Sequence, residues 1–260
     1  MDYNYHNHTF RCGHATGTEE EYIKRAIENG IKYIGFSDHM PFCFPDGYES
    51  GYRMPTKDAK DYFDTLNALK EKYKDQIDIK IGFEMEFYPK YFDQMQKKAL
   101  EYGAEYLILG QHFIYNEHPD GIYIYNRDNS EKDLKEYTKC CMEGMASGAF
   151  SYLAHPDLCT FYGDEKVYEE EARKICIASR IYDVPLEINF LGIRTHRIYP
   201  TPKFWEIAGE ERCPVTFGFD AHDTENAYDG ESLLVAEEMV KKYNLNYIGR
   251  PKLIVPEAIK

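Results

Sequence analysis

The side chains of this chain with the most chemistry in them are its histidines, and seven of the nine sit at, or close beside, the end of a short apolar run. His6 and His8 close Tyr3-Asn4-Tyr5-His6-Asn7-His8, with His14 soon after, and His39 closes the run from Ile31. His112 closes the run from Tyr106, His155 closes Ser151-Tyr152-Leu153-Ala154-His155, and His222 follows Pro214 to Ala221. Two acids share this placement: Glu84 ends Ile79-Lys80-Ile81-Gly82-Phe83-Glu84, and Asp220 stands two residues before His222. On a strand, residues two apart point the same way, so His6 with His8, and Asp220 with His222, can each reach one cation. Imidazole is the commonest protein ligand for transition metals, and a hydrophobic core gains nothing from a ring at the end of each strand. One His-x-His is weak evidence of ligation, whereas the same chemistry at every strand end is specific.

The apolar runs alternate with helical patterns. Strands are expected near 3–8, 31–37, 77–83, 105–111, 151–155, 185–190 and 214–219. Helices are expected over Thr56–Tyr73, Tyr91–Tyr102, Ser130–Ala149, Glu165–Arg180 and Pro202–Gly209, after a first helix that Thr18 caps, with Glu21 completing a capping box and Asn29-Gly30 ending it. Repeated βα units imply a parallel sheet. The expected fold is therefore α/β, a distorted, TIM-like (β/α)7 barrel with a metal site at the C-terminal ends of its strands, where such barrels carry their chemistry. Tyr247-Ile248 offers a short terminal strand in place of an eighth unit. No linker or short repeat divides the chain, so residues 1–260 are expected to form one domain.

Composition narrows the function. With 31 basic and 45 acidic residues the formal charge is −14, and no dense Lys/Arg run offsets it, which disfavours a nucleic-acid partner. No run of 18 apolar residues is present, so no membrane span is expected. Met1-Asp2-Tyr3-Asn4 passes straight into an expected strand without room for a signal peptide, and seven cysteines lack any Cys-x-x-Cys pair. Reduced thiols in a cytoplasmic protein are the expectation. The sequence sets no oligomeric state.

Taken together, His6-Asn7-His8 with His14, Ser37-Asp38-His39, Gly82-Phe83-Glu84, Gly110-Gln111-His112, His155-Pro156-Asp157 and Asp220-Ala221-His222 resemble the motifs of the PHP (polymerase and histidinol phosphatase) superfamily. Within it the chain resembles the monofunctional histidinol-phosphate phosphatases, from His6 to about Asp229. That resemblance implies three divalent transition-metal ions. His6, His8, Glu84 and Asp220 would hold one; Glu84, His112 and His155 a second, with Glu84 bridging; His14, His39 and His222 the third. The nitrogen and oxygen donors suit Zn, Fe or Mn and exclude a thiolate site, which leaves Cys12 a bystander.

The implied reaction is hydrolysis of L-histidinol phosphate to L-histidinol and phosphate in histidine biosynthesis, through metal-bound hydroxide attack at the trinuclear centre. Glu84 and Asp220 are the expected catalytic acids, with the proton for the leaving alkoxide coming from Asp220, a metal-linked histidine or water. Arg194 is the first choice for a guanidinium that holds the phosphate, since Gly192-Ile193-Arg194 before Tyr199-Pro200 resembles a segment of these phosphatases. Arg197 and Arg53 follow as substrate-binding candidates, and His196 is placed at the pocket or in solvent. Phe219, Gln111 and Phe190-Leu191 depart from the family pattern and bear on substrate shape, not on the metal ligands. The alternative is a PHP phosphoesterase acting on another small phosphate ester or a nucleotide. An exonuclease lacks its polymerase module here, and a non-catalytic regulator would be expected to have a broken ligand set.

Overall fold

The computed structural model describes residues 1–256, so the last four residues of the expected domain, 257–260, lie outside the described residues. Along the chain come β1 (Tyr3–Asn4), α1 (Glu19–Glu28), β2 (Tyr33–Phe36), α2 (Ala59–Tyr73), β3 (Asp78–Met85), α3 (Phe92–Tyr102), β4 (Tyr106–Leu109), β5 (Phe113–Ile114) and β6 (Ile122–Tyr123). Then follow α4 (Glu131–Ala146), α5 (Glu165–Tyr182), β7 (Leu186–Asn189), α6 (Phe190–Arg194), α7 (Pro202–Glu211), β8 (Pro214–Gly218), α8 (Gly230–Lys242) and β9 (Asn246–Tyr247).

β1, β2, β3 and β4 lie side by side and parallel. Leu153 continues the circle, pairing with Leu109 of β4 on one side and Leu186 of β7 on the other. β7 and β8 are parallel, and Asn7 pairs with Ala221 just beyond β8, His8 N donating to Ala221 O at 2.9 Å. That contact closes an α/β barrel in which the seven expected strand positions all take part. Two are cut to a small part of their expected length. The first stops at Asn4 because its side-chain Oδ1 accepts from His6 N (3.2 Å) and Phe219 N (3.1 Å), taking the place of ladder bonds. The fifth is reduced to Leu153, since Pro185 opposite has no N–H to give and His155 turns the chain at φ +31°.

β9 pairs only with the first two residues of β8, where Tyr3 Oη bonds Thr216 Oγ1 at 2.9 Å and donates to Gly249 O at 2.9 Å. It fills the splayed gap between β8 and β1 at the N-terminal end, as the expected short terminal strand. Beneath the site the barrel interior is plugged by Tyr3, Tyr5, Tyr106, Ile108, Tyr152 and Ala154, all buried, with Tyr106 Oη donating to Tyr5 O at 2.6 Å. Read from the sequence, these tyrosines are half-buried; a barrel interior accepts them whole.

The β5–β6 hairpin and the helices α6 and α8 are not foreseen from the sequence. The hairpin of β5 and β6 follows His112 and is antiparallel. Helix α8 escapes the periodicity because Leu234 and Val235 face solvent, which blurs its apolar stripe. Among the described residues every cysteine is free, and no helix is long and apolar enough to cross a membrane.

The expected capping box of α1 is in place: Thr18 Oγ1 accepts from Glu21 N, and Glu21 Oε2 accepts from Thr18 N at 2.7 Å. Thr18→Ala should lower the unfolding free energy by about 1 kcal/mol in urea titration without altering activity. An unchanged midpoint would show that tertiary packing alone holds α1.

Candidate metal centre

Every candidate ligand but His14, which lies in the loop before α1, stands where a strand leaves the barrel. His6 and His8 come from the extension of β1, His39 from β2, Glu84 from β3 itself, His112 from β4, His155 from the bridge at Leu153, and Asp220 and His222 from β8. The strand exits converge, so residues 214 positions apart become neighbours: His6 with Asp220, and His8 with His222.

Glu84 is at the centre, its side chain fully buried. Its Oε2 lies 3.6 Å from His6 Nε2 and 3.5 Å from His8 Nε2, while Asp220 Oδ1 lies 3.7 and 3.2 Å from the same two nitrogens. All four atoms are buried and have no hydrogen-bond partner. Around a tetrahedral cation with bonds of about 2.1 Å, neighbouring ligand atoms are about 3.4 Å apart. The spacing fits such a shell, and a cation would satisfy four otherwise orphaned polar atoms.

The other oxygen of Glu84 faces a second group. Oε1 is 2.9 Å from His155 Nε2 and 3.5 Å from His112 Nε2. The third group is looser. The ring of His14 lies 5.3 Å from that of His39 and 5.0 Å from that of His222, and its Nδ1 is bonded to Cys12 O at 3.0 Å. His39 instead turns Nδ1 to within 3.0 Å of Glu84 Oε2, and the tight nitrogen cluster is His8, His39 and His222. Cys12 Sγ donates to Thr9 O at 3.2 Å, and burial pushes its thiol up, so it stays protonated.

The electrostatics follow from this crowding. Burial alone would raise the carboxyl of Glu84, but the imidazoles of His112, His6 and His39 outweigh it and hold Glu84 well below the usual range. Asp220 is depressed in the same way by His6, His8 and His222. Burial works against a charge on His8 also, yet Asp220 and Asp38 bring it up to about 9; Glu187, Asp220 and Glu84 raise His6 well above its ordinary value. Burial and the neighbouring His8 push His39 and His222 well below theirs. On His6 and His8 a proton therefore competes with a cation, and binding the cation displaces it.

A second layer of acids aims the rings. Glu187 Oε1 accepts from His6 Nδ1 at 2.7 Å, and Glu86 Oε1 from His112 Nδ1 at 3.0 Å. Glu187 Oε2 accepts from His155 N (3.2 Å) and from Asn189 Nδ2 (2.8 Å), and that amide also donates to Asp220 Oδ2 at 2.9 Å. The two bonds to Nδ1 fix the tautomers of His6 and His112 and present their Nε2 to the centre. Sequence reasoning passed over Glu86, Glu187 and Asn189. The available signal was their period: Glu86 is two residues from Glu84, and Glu187 and Asn189 share one face of an otherwise apolar strand. Two glycines make the room. A Cβ on Gly110 would overlap Glu84 Oε1, and one on Gly218 would overlap Glu187 Oε1.

Beside the centre opens a cavity of about 360 Å³, walled by Tyr52, Tyr123, Tyr199, Leu158, Leu191 and Arg197. Of the arginines considered, only Arg197 lines it, bonded to Tyr199 Oη at 2.9 Å. Arg194, the first choice from sequence, is corrected. Helix α6 carries it behind the exit of β8, where Nη1 and Nη2 donate to Phe219 O and Asp220 O at 2.5 Å each. It clamps the turn in which Asp220 takes a left-handed φ of +47°. Arg53 is corrected as well: its side chain is 1% exposed and paired with Glu86 and Glu117, not open to a ligand. His196 is exposed and outside the cavity lining.

A family model for the PHP domain matches residues 4–190. The chain is 27% identical over 225 residues to a probable histidinol-phosphatase of Deinococcus radiodurans, covering 84% of this chain and 85% of that one. It is 26% identical over 261 residues to a histidinol-phosphatase of Lactococcus lactis, covering 93% and 90%. The fold matches the crystal structure of a Lactococcus lactis histidinol phosphate phosphatase complexed with zinc, L-histidinol and phosphate, with a TM-score of 0.70 at 22% identity and 95% of both chains covered.

Glu187→Gln keeps the size of the side chain and removes the charge that aims His6. Affinity for a divalent cation, measured by competition with a chromophoric chelator, should fall about 10- to 100-fold. Affinity equal to that of the parent protein would remove Glu187 from the centre.

Proposed function

The chain belongs to the PHP domain family, and from that premise we propose that it is a metal-dependent phosphoric monoester hydrolase that converts L-histidinol phosphate to L-histidinol and phosphate in histidine biosynthesis. A single phosphatase domain in the reducing cytoplasm, acting on a small molecule and not on nucleic acid, is part of the same reading. The observation that carries it is the convergence of orphaned, buried ligand atoms of His6, His8, Glu84 and Asp220 beside a cavity with an arginine in its wall.

We assign three cations of the Zn, Fe or Mn type: one to His6, His8, Glu84 and Asp220, one to Glu84, His112 and His155, and one to His14, His39 and His222. Such cations supply Lewis acidity, lowering the pKa of water and neutralising phosphoryl charge. The chain's own residues do the rest. Glu84 divides its two oxygens between two of the groups. Arg197 offers a guanidinium fork to two phosphate oxygens. Asp220 lines the cavity, where it would take the proton of the attacking water and return it to the leaving alkoxide. Tyr52, Tyr123 and Tyr199 exclude water and present ring faces to an imidazole.

One observation favours a second reading, a phosphoesterase for another small phosphate ester. Among the described residues the cavity is lined by no carboxylate other than Glu84 and Asp220, so an ammonium on the organic part finds no acid reserved for it.

Phosphate release by metal-loaded protein from histidinol phosphate, sugar phosphates and nucleotides separates the two. Histidinol phosphate should lead in kcat/KM, and comparable rates across the panel would overturn the narrow assignment. Arg197→Met should keep the bound metal and lose activity about 100-fold or more, the scale of one charge-stabilising donor. Kinetics like the parent's would exclude Arg197. Glu84→Gln should lose at least one cation per chain by elemental analysis, and a full complement would end the bridging role.

A further inference from the structure

Arg53 is fixed by three buried partners in two other segments of the chain. Nη1 lies 2.6 Å from Glu86 Oε2; Nη2 donates to Glu117 Oε2 at 2.5 Å and to Tyr88 Oη at 3.1 Å, and Tyr88 Oη donates to Glu117 Oε2 at 2.9 Å. The far oxygen of Glu86 is the one that aims His112. The pairing therefore reaches a candidate metal ligand in two steps.

On the other side it reaches the walls of the cavity. Tyr52, the residue before Arg53, lies with its ring 4.4 Å from that of His39 and 5.1 Å from that of His112. Glu117 sits in the turn of the β5–β6 hairpin, last of three successive residues, Tyr115, Asn116 and Glu117, with φ near +60°. Non-glycine residues hold that conformation only when their surroundings impose it. The hairpin carries Tyr123, whose ring is 5.9 Å from that of Tyr52. Two aromatic walls from separate loops thus meet, and both loops are tied to one buried guanidinium.

We propose that Arg53 is a positioning residue that couples the orientation of His112 to the placement of the Tyr52–Tyr123 wall, so that ligand geometry and substrate shape are set by one joint. This rests on the metal-centre reading above. The fork geometry is essential, because a guanidinium can face two carboxylates and a phenol at once while an ammonium cannot. A purely structural pair would, on removal, cost stability and nothing else.

Four variants divide the joint: Arg53→Met removes it, Arg53→Lys keeps charge without the fork, Glu86→Gln breaks the arm to His112, and Glu117→Gln breaks the arm to the hairpin. The readouts are zinc affinity by chelator competition, KM and kcat on histidinol phosphate at saturating zinc, and the thermal midpoint. Arg53→Met should lose zinc affinity about 10- to 100-fold and raise KM several-fold. Glu86→Gln should reproduce the zinc loss with little change in KM, Glu117→Gln the KM rise with zinc affinity kept, and Arg53→Lys should rescue neither fully. A change confined to the thermal midpoint, or one phenotype shared by Glu86→Gln and Glu117→Gln, overturns the proposal. If Arg53→Met does not fold, the two glutamine variants decide. Parent protein that takes up no zinc sinks the metal reading itself, whereas parent that binds zinc alongside an Arg53→Met of equal affinity and KM sinks only the joint.

Discussion

The structure depends on one carboxylate kept out of water. Glu84 is fully buried, and the imidazoles of His6, His8, His39, His112 and His155 each bring a nitrogen within 3.6 Å of it. An ionised acid in such a place is costly unless positive charge comes with it. Here that charge is shared among rings from four stretches of chain, which ties the exits of the strands into one unit. Much of the local detail answers to this demand. Gly110 gives the acid space, and His155 and Asp220 accept left-handed backbone to face inward.

Around that acid the chain builds outward in layers. Glu187 and Glu86 fix the rings of His6 and His112, Asn189 holds the carboxylate of Asp220, and Arg194 fixes the turn that presents it. Arg53 then links one of those fixing acids to the loops that shape the cavity. The barrel floor is polar in composition but closed in packing: buried tyrosines fill it, and Tyr3 and Tyr106 pass their hydroxyls to backbone carbonyls. The result is a rigid base with function gathered at one rim.

The ligands are legible in the sequence because an imidazole at the end of an apolar run has little structural use, and the pattern repeats at His39, His112, His155 and His222. The barrel is legible for the same reason, since the runs themselves mark its strands. The arginines are not. Arg194, Arg197 and Arg53 all stand near expected strand exits, and one-dimensional spacing cannot say which way a guanidinium turns. Helix α6 turns Arg194 to the backbone, and the meeting of two loops buries Arg53. Glu187 and Asn189 were hidden by their setting, inside a strand whose apolar neighbours draw the eye. Helix α8 was hidden by exposed Leu234 and Val235, which break the expected stripe.

Arg197 is the one guanidinium or ammonium in the cavity lining among the described residues, on a chain of formal charge −14. A phosphate ester is itself an anion, so its approach is uphill only within a screening length of the acidic exterior, about 10 Å in 0.1 M salt. Ionic strength then acts with opposite signs along one route. It eases arrival by hiding the acidic exterior, and it loosens the final grip by shielding the rim cation. The traffic of substrate into this barrel is governed by that balance and not by long-range attraction.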